Sequence, residues 1–486
     1  RKSGLQQFRL DLVNRTAQRQ GKGMVVEEIR LGDTKIDYTH QNDELIIHLP
    51  VASVEGKALT FRLKYHGVPF DGLRIGPTKY GDRSFFCENW PNKARHWLPT
   101  YDHPSDKATV EFIVKAPSHY KVISNGLLQE ESDLGKQMKL THWKQSVPVS
   151  CWLFVLGVAE FAVQYVDQFE GKSIQTWVYP QNREAGFYDF HEPTKKVLEF
   201  YTQYVGPYVY EKLANIQCAS VSGGMETSSA IFYAENLVNG KRDERTRNVV
   251  IHEIAHQWFG NAVTESTWDD VWLSEGFATF FTLLFIEQAY GKEEYTKGLL
   301  KAKKTVFDLA AKMPDHSVVS PRSAEKEEVT TGLTYQKGAW VLHMLRNLVG
   351  EDAFQKGIRS YYARFMNANA TTDDFRKEME LASGLDLFTF FQQWLYQPVN
   401  PSLQVSWKYN SRKKNLVVDI EQVQNGNIIF QAPVEMAYYQ KGVTQPLLLK
   451  VALKGKKQRE SFTVEGEVER VEVDPGNIFL GNIILK

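Results

Sequence analysis

Two histidines four residues apart give the strongest chemical signal in the sequence. They lie in 249-VVIHEIAHQWFGN-261, where Glu253 directly follows His252 and precedes His256 by three residues. On an α-helix, residues i and i+4 project from the same face, so both imidazoles can reach one metal ion. Glu253 would flank the ion, as the general base does in HExxH zinc sites. The motif predicts a zinc site; a buried structural pair of histidines is the alternative.

A third metal ligand is expected because a hydrolytic zinc ion usually takes three protein ligands and leaves one position for water. Glu275 lies in 268-WDDVWLSEGFATFF-281, with eighteen residues between it and His256. Such a gap allows a turn and the start of an antiparallel helix, so the carboxylate can return to the same ion. Its apolar and aromatic neighbours predict that Glu275 is buried, and a buried carboxylate requires a partner. We therefore expect one Zn²⁺ ion held by His252, His256 and Glu275.

The full pattern of HExxH, eighteen residues and a glutamate within WLSEGFA resembles the gluzincin aminopeptidases, relatives of aminopeptidase N and the leukotriene hydrolase. The resemblance extends from about Phe85 to Pro401. It implies an α+β multidomain fold with an N-terminal antiparallel β domain, a thermolysin-like α-rich catalytic domain and a small C-terminal β-sandwich. It also implies hydrolysis of the N-terminal peptide bond of peptides, by a water molecule activated at zinc with Glu253 as general base.

An exopeptidase must recognise the free α-ammonium of its substrate, and carboxylates suit this because charge-assisted hydrogen bonds are strong in a dry site. The segment 221-VSGGMETSSAI-231 is similar to the family's Gly-Ala-Met-Glu-Asn exopeptidase motif, which assigns the ammonium to Glu226. Gly223 and Gly224 would let an edge strand pass close to the substrate and bind its main chain. A flexible glycine loop is the alternative. Gly224 replaces the commoner alanine, and Thr227 replaces an asparagine that helps to shape the loop.

Two further residues complete the site that the resemblance implies. In 86-FCENWPNKARHWLPTYDHPSDKAT-109, Glu88 takes the position of a second amine-binding residue, although Trp90 stands where relatives often have glutamate. A surface ion pair is the alternative role for Glu88. Tyr335 follows Glu275 by sixty residues, much like the family's catalytic tyrosine. Because a phenol can donate to a developing oxyanion, we predict a catalytic role for Tyr335.

Three other functions fit parts of this pattern. A zinc endopeptidase has the same metal ligands but lacks an amine anchor. An epoxide-opening hydrolase like the leukotriene enzyme needs a long lipid pocket, which the sequence does not reveal. A catalytically silent binding scaffold should have lost at least one of the five metal-binding and catalytic residues. All five are present: His252, Glu253, His256, Glu275 and Tyr335.

The elements that position these residues change in type along the chain. Alternating apolar residues in 57-KALTFRLKYHG-67 and 107-KATVEFIVKAP-117 predict half-buried β-strands. Helical spacing predicts helices in five later stretches: 193–206, 244–261, 272–290, 336–349 and 372–383. Alternation returns after the proline-rich stretch 397-QPVNPSL-403. We therefore predict three domains: 1–162, 163–399 and 400–486.

Composition limits the partners of the protein. Lys plus Arg and Asp plus Glu both total 58, so the chain has no overall attraction to nucleic acid or anionic lipid. No apolar run approaches the ~20 residues of a membrane-spanning helix, which favours a soluble protein. Cys87, Cys151 and Cys218 form no CxxC pair, so we expect buried thiols. The expected partners are peptides with a free N-terminus, without nucleic acid or a membrane span, and the oligomeric state is not predicted.

The ends of the chain carry two further expectations. Many gluzincin aminopeptidases continue into a C-terminal helical domain, so the resemblance implies a short form that lacks it. The cleft would then be more open, or covered by a second subunit. Arg1 begins close to a predicted β segment, which implies a truncated first strand. The missing initiator methionine favours an exported or periplasmic location.

Overall fold

The computed structural model describes residues 3–321 and 329–486. Two compact units make up the chain. The first contains Arg1–Gln203, Pro207–Thr267 and Phe365–Asn369, and the second contains Tyr204–Gly206, Trp268–Arg364 and Ala370–Lys486. The predicted N-terminal domain begins at residue 1, and residues 1 and 2 lie outside the described residues, as do residues 322–328. The boundaries predicted after residues 162 and 399 stay predictions.

Four small antiparallel sheets form the first part of the first unit. Their strands are β1 (Gln7–Asp11), β2 (Gly23–Leu31), β3 (Thr34–Lys35), β4 (Tyr38–Gln41), β5 (Glu44–His48), β6 (Phe61–Val68), β7 (Leu73–Pro77), β8 (Arg83–Cys87), β9 (Lys107–Pro117), β10 (Lys121–Ser124), β11 (Leu127–Gly135), β12 (Met138–Ser150) and β13 (Leu156–Ala159). The strand orders are β1-β5-β4, β3-β2-β6, β10-β13-β8-β7 and β11-β12-β9. This part confirms the predicted N-terminal antiparallel β architecture.

The two strands predicted by alternation differ in accuracy. β9 has the predicted bounds, and its half-buried Val110, Phe112 and Val114 alternate with exposed residues. β6 begins at Phe61, so the predicted Phe61, Leu63 and Tyr65 lie in the strand and the predicted Leu59 lies before it. The reason is that its partner β2 ends at Leu31, which pairs with Phe61. Residues before Phe61 therefore have no further residue of β2 to pair with.

A mixed five-stranded sheet follows in the same unit. Its strands are β14 (Ala162–Phe169), β15 (Lys172–Val178), β16 (Lys212–Cys218), β17 (Gly224–Met225) and β18 (Ala230–Ala234), in the order β14-β15-β16-β18-β17. β15, β16 and β18 are parallel neighbours. Helix α1 (Arg183–Tyr204) lies between β15 and β16 in the chain, as a parallel connection requires. The short strand β17 therefore forms one edge of the sheet.

Helix α2 (Glu244–Ala255) carries most of the predicted metal motif and contacts β17. It begins after Asp243, whose side chain accepts a hydrogen bond of 2.8 Å from the Thr246 N–H. Such a cap satisfies one of the unpaired N–H groups of the first helical turn.

Two short strands also occur, β19 (Val263–Glu265) and β20 (Ala368–Ala370).

The second unit begins with helices. They are α3 (Trp272–Tyr290), α4 (Lys292–Lys312), α5 (Gly338–Val349), α6 (Glu351–Phe365), α7 (Thr372–Ser383) and α8 (Phe388–Leu395). The predictions of helices at 272–290 and 372–383 are confirmed to the residue. α3 is buried over most of its length and packs on α4 and α5. A π-helical turn, Leu333–Lys337, leads directly into α5.

Two small sheets complete the second unit. Their strands are β21 (Ser402–Asn410), β22 (Asn415–Gln422), β23 (Pro433–Gln440), β24 (Leu447–Ala452), β25 (Lys457–Thr463), β26 (Val468–Val473) and β27 (Asn482–Leu485), in the orders β25-β22-β21-β27 and β24-β23-β26. The fold is therefore α+β with C-terminal strands, as predicted. Cys87, Cys151 and Cys218 are buried free thiols. Within the described residues, no helix has the length and apolar character needed to cross a membrane.

Candidate metal and peptide-binding site

The two histidines of the HExxH motif lie at the C-terminal end of α2 with their Nε2 atoms 3.1 Å apart. Nδ1 of His256 lies 3.0 Å from the carbonyl oxygen of Phe259. Because a carbonyl can only accept, Nδ1 carries the proton and Nε2 presents a lone pair. Two nitrogen ligands ~2.0–2.1 Å from one tetrahedral zinc ion lie about 3.3 Å apart. The separation and the assigned tautomer therefore fit a zinc ion.

The predicted general base and the predicted amine anchor lie beside this helix end. Glu226, Glu253 and His256 each offer one ligand atom, and these atoms lie within 4.8 Å of one another. Only 5% of Glu226 and 6% of Glu253 is exposed. Two carboxylates this close and this buried favour a bound cation, because water cannot screen their charges. The structure thus brings together three of the residues predicted from sequence.

The exopeptidase motif runs along β17, the edge strand, and into the turn that follows. The Gly223 carbonyl accepts the Ala234 N–H at 2.8 Å, which holds the start of the motif to the sheet. The Thr227 hydroxyl donates to the Ala230 carbonyl. Thr227 therefore stabilises the turn at the position where the family's motif has an asparagine.

Two amide side chains that the sequence analysis did not single out also hold this turn. Gln257 Nε2 donates to the Glu226 carbonyl at 3.0 Å, and Asn261 Nδ2 donates to the same oxygen at 2.6 Å. Both residues are buried. The only signal in the sequence was their position, since they directly continue the HExxH motif in HEIAHQWFGN.

The remaining predicted catalytic residues lie in the second unit. Glu275 is in the first turn of α3, where the helix dipole favours a carboxylate, and only 5% of it is exposed. The Tyr335 hydroxyl donates to Glu275 Oε1 at 2.7 Å. The structure thus brings the predicted tyrosine and the predicted third metal ligand into direct contact.

A close approach of two main chains makes this contact possible. A Cβ atom at Gly276 would lie 3.0 Å from Gly338 Cα, and one at Gly338 would lie 2.9 Å from Gly276 Cα. A larger residue at either position would push α3 away from the π-helical turn. Such turns occur often at functional sites. The two glycines, each within three residues of Glu275 or Tyr335, were also missed by the sequence analysis.

Glu88 lies outside the cluster of Glu226, Glu253 and His256. It follows β8, and its N–H donates to the Gly72 carbonyl at 2.8 Å. Its side chain lines a cleft of about 320 Å³ together with Arg74 and Ser220. Burial raises the pKa of the Glu88 carboxyl, and the charge of Lys93 partly opposes that rise. Whether Glu88 binds the substrate amine stays a prediction.

Comparison with known proteins gives consistent matches over most of the chain. The profile of the Peptidase M1 N-terminal domain matches residues 19–153, and that of the Peptidase family M1 domain matches residues 189–394. Glutamyl aminopeptidase of Rattus norvegicus is 33% identical over 341 residues, which are 68% of this chain and 36% of that protein. Probable aminopeptidase 1 of Sulfurisphaera tokodaii is 26% identical over 443 residues, 88% of this chain and 55% of that protein.

A solved structure supports the fold. The crystal structure of Legionella pneumophila aminopeptidase A in complex with aspartic acid matches with a TM-score of 0.84 and 19% identity. The match covers 100% of this chain and 56% of that chain. This chain therefore spans between about a third and just over half of the length of these relatives.

The fold and the HExxH helix are those of a zinc metallopeptidase scaffold. The chain belongs to peptidase family M1. The resemblance to the gluzincin aminopeptidases that the sequence motifs predicted is thereby confirmed.

Proposed function

We propose that the protein is a zinc-dependent aminopeptidase that hydrolyses the N-terminal peptide bond of peptides. The observation that carries the proposal is the cluster of Glu226, Glu253 and His256, whose ligand atoms lie within 4.8 Å of one another. This places a carboxylate of the exopeptidase motif beside the predicted general base. A substrate held by its ammonium at Glu226 would have its first peptide bond next to that base.

The proposed metal ligands are His252, His256 and Glu275, holding one Zn²⁺ ion. Three features support this set: the Nε2 separation of 3.1 Å, the tautomer of His256 fixed by Phe259, and the burial of Glu275. The spacing of the three residues is that of the gluzincin motif. When bound, zinc supplies a Lewis acid that polarises an oxygen ligand.

Proton transfer, oxyanion stabilisation and ammonium binding are assigned to different side chains. Glu253 takes a proton from the attacking water and delivers it to the departing amine, which is the work of a general base followed by a general acid. The Tyr335 hydroxyl donates to the oxyanion that develops on the scissile carbonyl. Glu226, with Glu88, holds the substrate ammonium, so that the cleaved bond is the first one in the peptide.

The edge strand offers a further way to hold an extended peptide. Within residues 3–321 and 329–486, β17 pairs with β18 on one side only, through Gly224 and Met225. An edge strand can bind an extended peptide through main-chain hydrogen bonds. The space beside Gly223 is open to such a peptide, because a Cβ atom built there would meet no atom within 4 Å. The proposed substrates are therefore peptides with a free N-terminus that bind in an extended conformation.

A panel of fluorogenic aminoacyl amides tests the function. We expect hydrolysis that a chelator abolishes and added Zn²⁺ restores, and we expect N-acetylated versions of the same substrates to be inert. The Glu253→Gln variant should bind zinc like the wild type and lose about 10²–10⁴-fold in kcat, the usual contribution of a general base. Equal cleavage of free and N-acetylated peptides would indicate an endopeptidase instead, and loss of zinc from Glu253→Gln would contradict the role of the base.

A further inference from the structure

The turn formed by residues 226–229, which we call the exopeptidase turn, is bound to the segment after α2 through a single carbonyl that accepts two hydrogen bonds. The Glu226 carbonyl oxygen accepts from Gln257 Nε2 at 3.0 Å and from Asn261 Nδ2 at 2.6 Å. A carbonyl has two lone pairs, so both are occupied and the plane of the Glu226 peptide is fixed. This peptide carries the side chain assigned to the substrate ammonium.

Gln257 also bridges the turn itself. Its Oε1 accepts the Ser229 N–H at 3.0 Å, while its Nε2 donates to the Glu226 carbonyl three residues earlier. In a β-turn these two main-chain groups commonly bond each other. Here the Gln257 carboxamide bonds both main-chain groups instead. This bridge requires a donor and an acceptor on one planar neutral group. Among the side chains, Asn and Gln meet that requirement.

Hydrogen bonds also fix Ser229, the last residue of the turn. Ser229 has a φ of 62°, a left-handed conformation that is uncommon outside glycine, and it is fully buried. Its hydroxyl accepts the Gly126 N–H at 2.8 Å and donates to Gln145 Oε1 at 3.1 Å. Such backbone strain persists only where the surrounding contacts fix it, and here they fix one end of the Gln257 bridge.

Asn261 gives the second attachment. Its N–H donates to the His256 carbonyl at 3.1 Å, which ties it to the end of the metal-motif helix. Its own carbonyl accepts from the half-buried Lys107 Nζ at 3.0 Å. Both amides are therefore anchored next to His256, so any displacement of Glu226 relative to that histidine must break at least one of them.

We propose that Gln257 and Asn261 are positioning residues that set the strength of ammonium recognition by fixing the Glu226 carboxylate relative to Glu253 and His256. The inference rests on the proposed aminopeptidase function. It predicts that removing the amides weakens the contribution of the substrate amine and leaves the metal site intact. A role in folding alone would change stability without that selective effect.

The test compares two inhibitors that differ in one group, an α-amino hydroxamate and the same hydroxamate without its amine. The hydroxamate binds the metal in both, so the ratio of their inhibition constants reports the amine contact alone. We expect this ratio to fall about 10-fold or more in Gln257→Met and in Asn261→Ala, which is the loss of roughly one charge-assisted hydrogen bond. Gln257→Glu keeps the acceptor for Ser229 but loses the donor, and it should fall between the wild type and Gln257→Met. Zinc content should equal that of the wild type in all three.

A matched control is available in the C-terminal strands. Gln422 is buried, its Nε2 donates to the Phe430 carbonyl at 2.9 Å, and its Oε1 accepts the Phe430 N–H at 2.9 Å. Gln422→Met therefore removes the same kind of bridge in another place and should lower stability without changing the inhibitor ratio.

Three results decide the matter. An unchanged ratio in zinc-loaded Asn261→Ala and Gln257→Met would overturn the inference, as would an equal fall in Gln422→Met. If Gln257→Met does not fold, Asn261→Ala carries the same expectation with a smaller perturbation. A ratio near one in the wild type would instead refute amine recognition, and with it the proposed function.

Discussion

The main chain at Gly224 lies so close to Glu253 that a Cβ atom there would be 2.2 Å from Glu253 Oε1. The carboxylate of the predicted general base thus occupies the volume that an alanine methyl group would fill. The departure of this chain from the alanine commonest in the exopeptidase motif is therefore tied to the position of its base. Glycine at 224 allows Glu253 to pack directly against the edge strand.

We expect Gly224→Ala to lower kcat by about 10²-fold, because an error of about 1 Å in placing a catalytic group can cost that much. The atoms that clash are the end of a flexible side chain, so the carboxylate should move while the fold and zinc content are kept. Gly455→Ala, outside the edge strand, is the matched control, since a Cβ there would meet its nearest atom, the Lys457 carbonyl oxygen, at an ordinary 3.7 Å. Steady-state kinetics on one aminoacyl amide compares the two, and equal losses would show that the contact with Glu253 does not matter.

The hydrogen bond between Tyr335 and Glu275 gives a second prediction. Tyr335→Phe removes a hydroxyl that donates to Glu275 Oε1 at 2.7 Å, and with it the proposed donor to the oxyanion. We expect kcat to fall about 10²–10³-fold with little change in KM, because the donor acts mainly in the transition state. A rise in KM at constant kcat would show that the tyrosine binds substrate instead. Zinc analysis of the variant checks that loss of the bond to Glu275 has not released the metal.

The sequence predicted the parts of the site that depend on local spacing. The i, i+4 histidines and the buried surroundings of Glu275 follow from residues that are close together in the chain. α3 and α7 also have the predicted bounds, and α7 begins at the capping box of Thr371 and Asp374 that the sequence contains. The π-helical turn at Tyr335 was not predicted, since a 3.6-residue period cannot describe its wider turn.

The parts that were missed depend on residues distant in the chain. Gln257 bonds the Glu226 carbonyl 31 residues away, and nothing in the identity of a glutamine specifies that partner. The contact of Gly224 with Glu253 likewise joins two elements whose packing is set by the whole sheet. For the same reason Leu59 was wrongly predicted to lie in β6, because the start of that strand is fixed by the end of β2 rather than by the residues of β6 itself.

Charge at Glu226 should matter for substrates with a free amine and for no others. Glu226→Gln keeps the shape of the side chain and the carbonyl that Gln257 and Asn261 hold, and it removes the negative charge. We expect kcat/KM for free-amine substrates to fall about 10–100-fold, the value of a charge-assisted hydrogen bond. Glu88→Gln should act in the same direction if Glu88 is a second anchor. Unchanged kinetics in either variant would remove that residue from the amine site.

The buried Lys212 predicts a pH dependence of stability. Its Nζ donates to the Ser124 carbonyl at 2.7 Å, and burial lowers the pKa of its ammonium to about 7. In the unfolded chain the pKa of a lysine is about 10.4. Between these values the folded protein has released a proton that the unfolded chain keeps, so the unfolded state binds more protons and stability rises with pH. The contribution is complete above about pH 10.4 and is lost as the pH falls to about 7.

Lys212→Met removes the titrating group and keeps most of its apolar stem. Between pH 7.5 and 10, we expect the unfolding free energy of the wild type to rise relative to that of Lys212→Met by roughly 1.4 kcal/mol per pH unit. This slope corresponds to the difference of one bound proton between the folded and unfolded states. Urea unfolding followed by tryptophan fluorescence measures it, because Trp143 lies 4.8 Å from the Lys212 ammonium. Lys115→Met, at an exposed position of β9, should give a curve parallel to that of the wild type. Parallel curves for Lys212→Met as well would mean that Lys212 keeps its proton in the folded protein, held by Ser124 and the Trp143 ring.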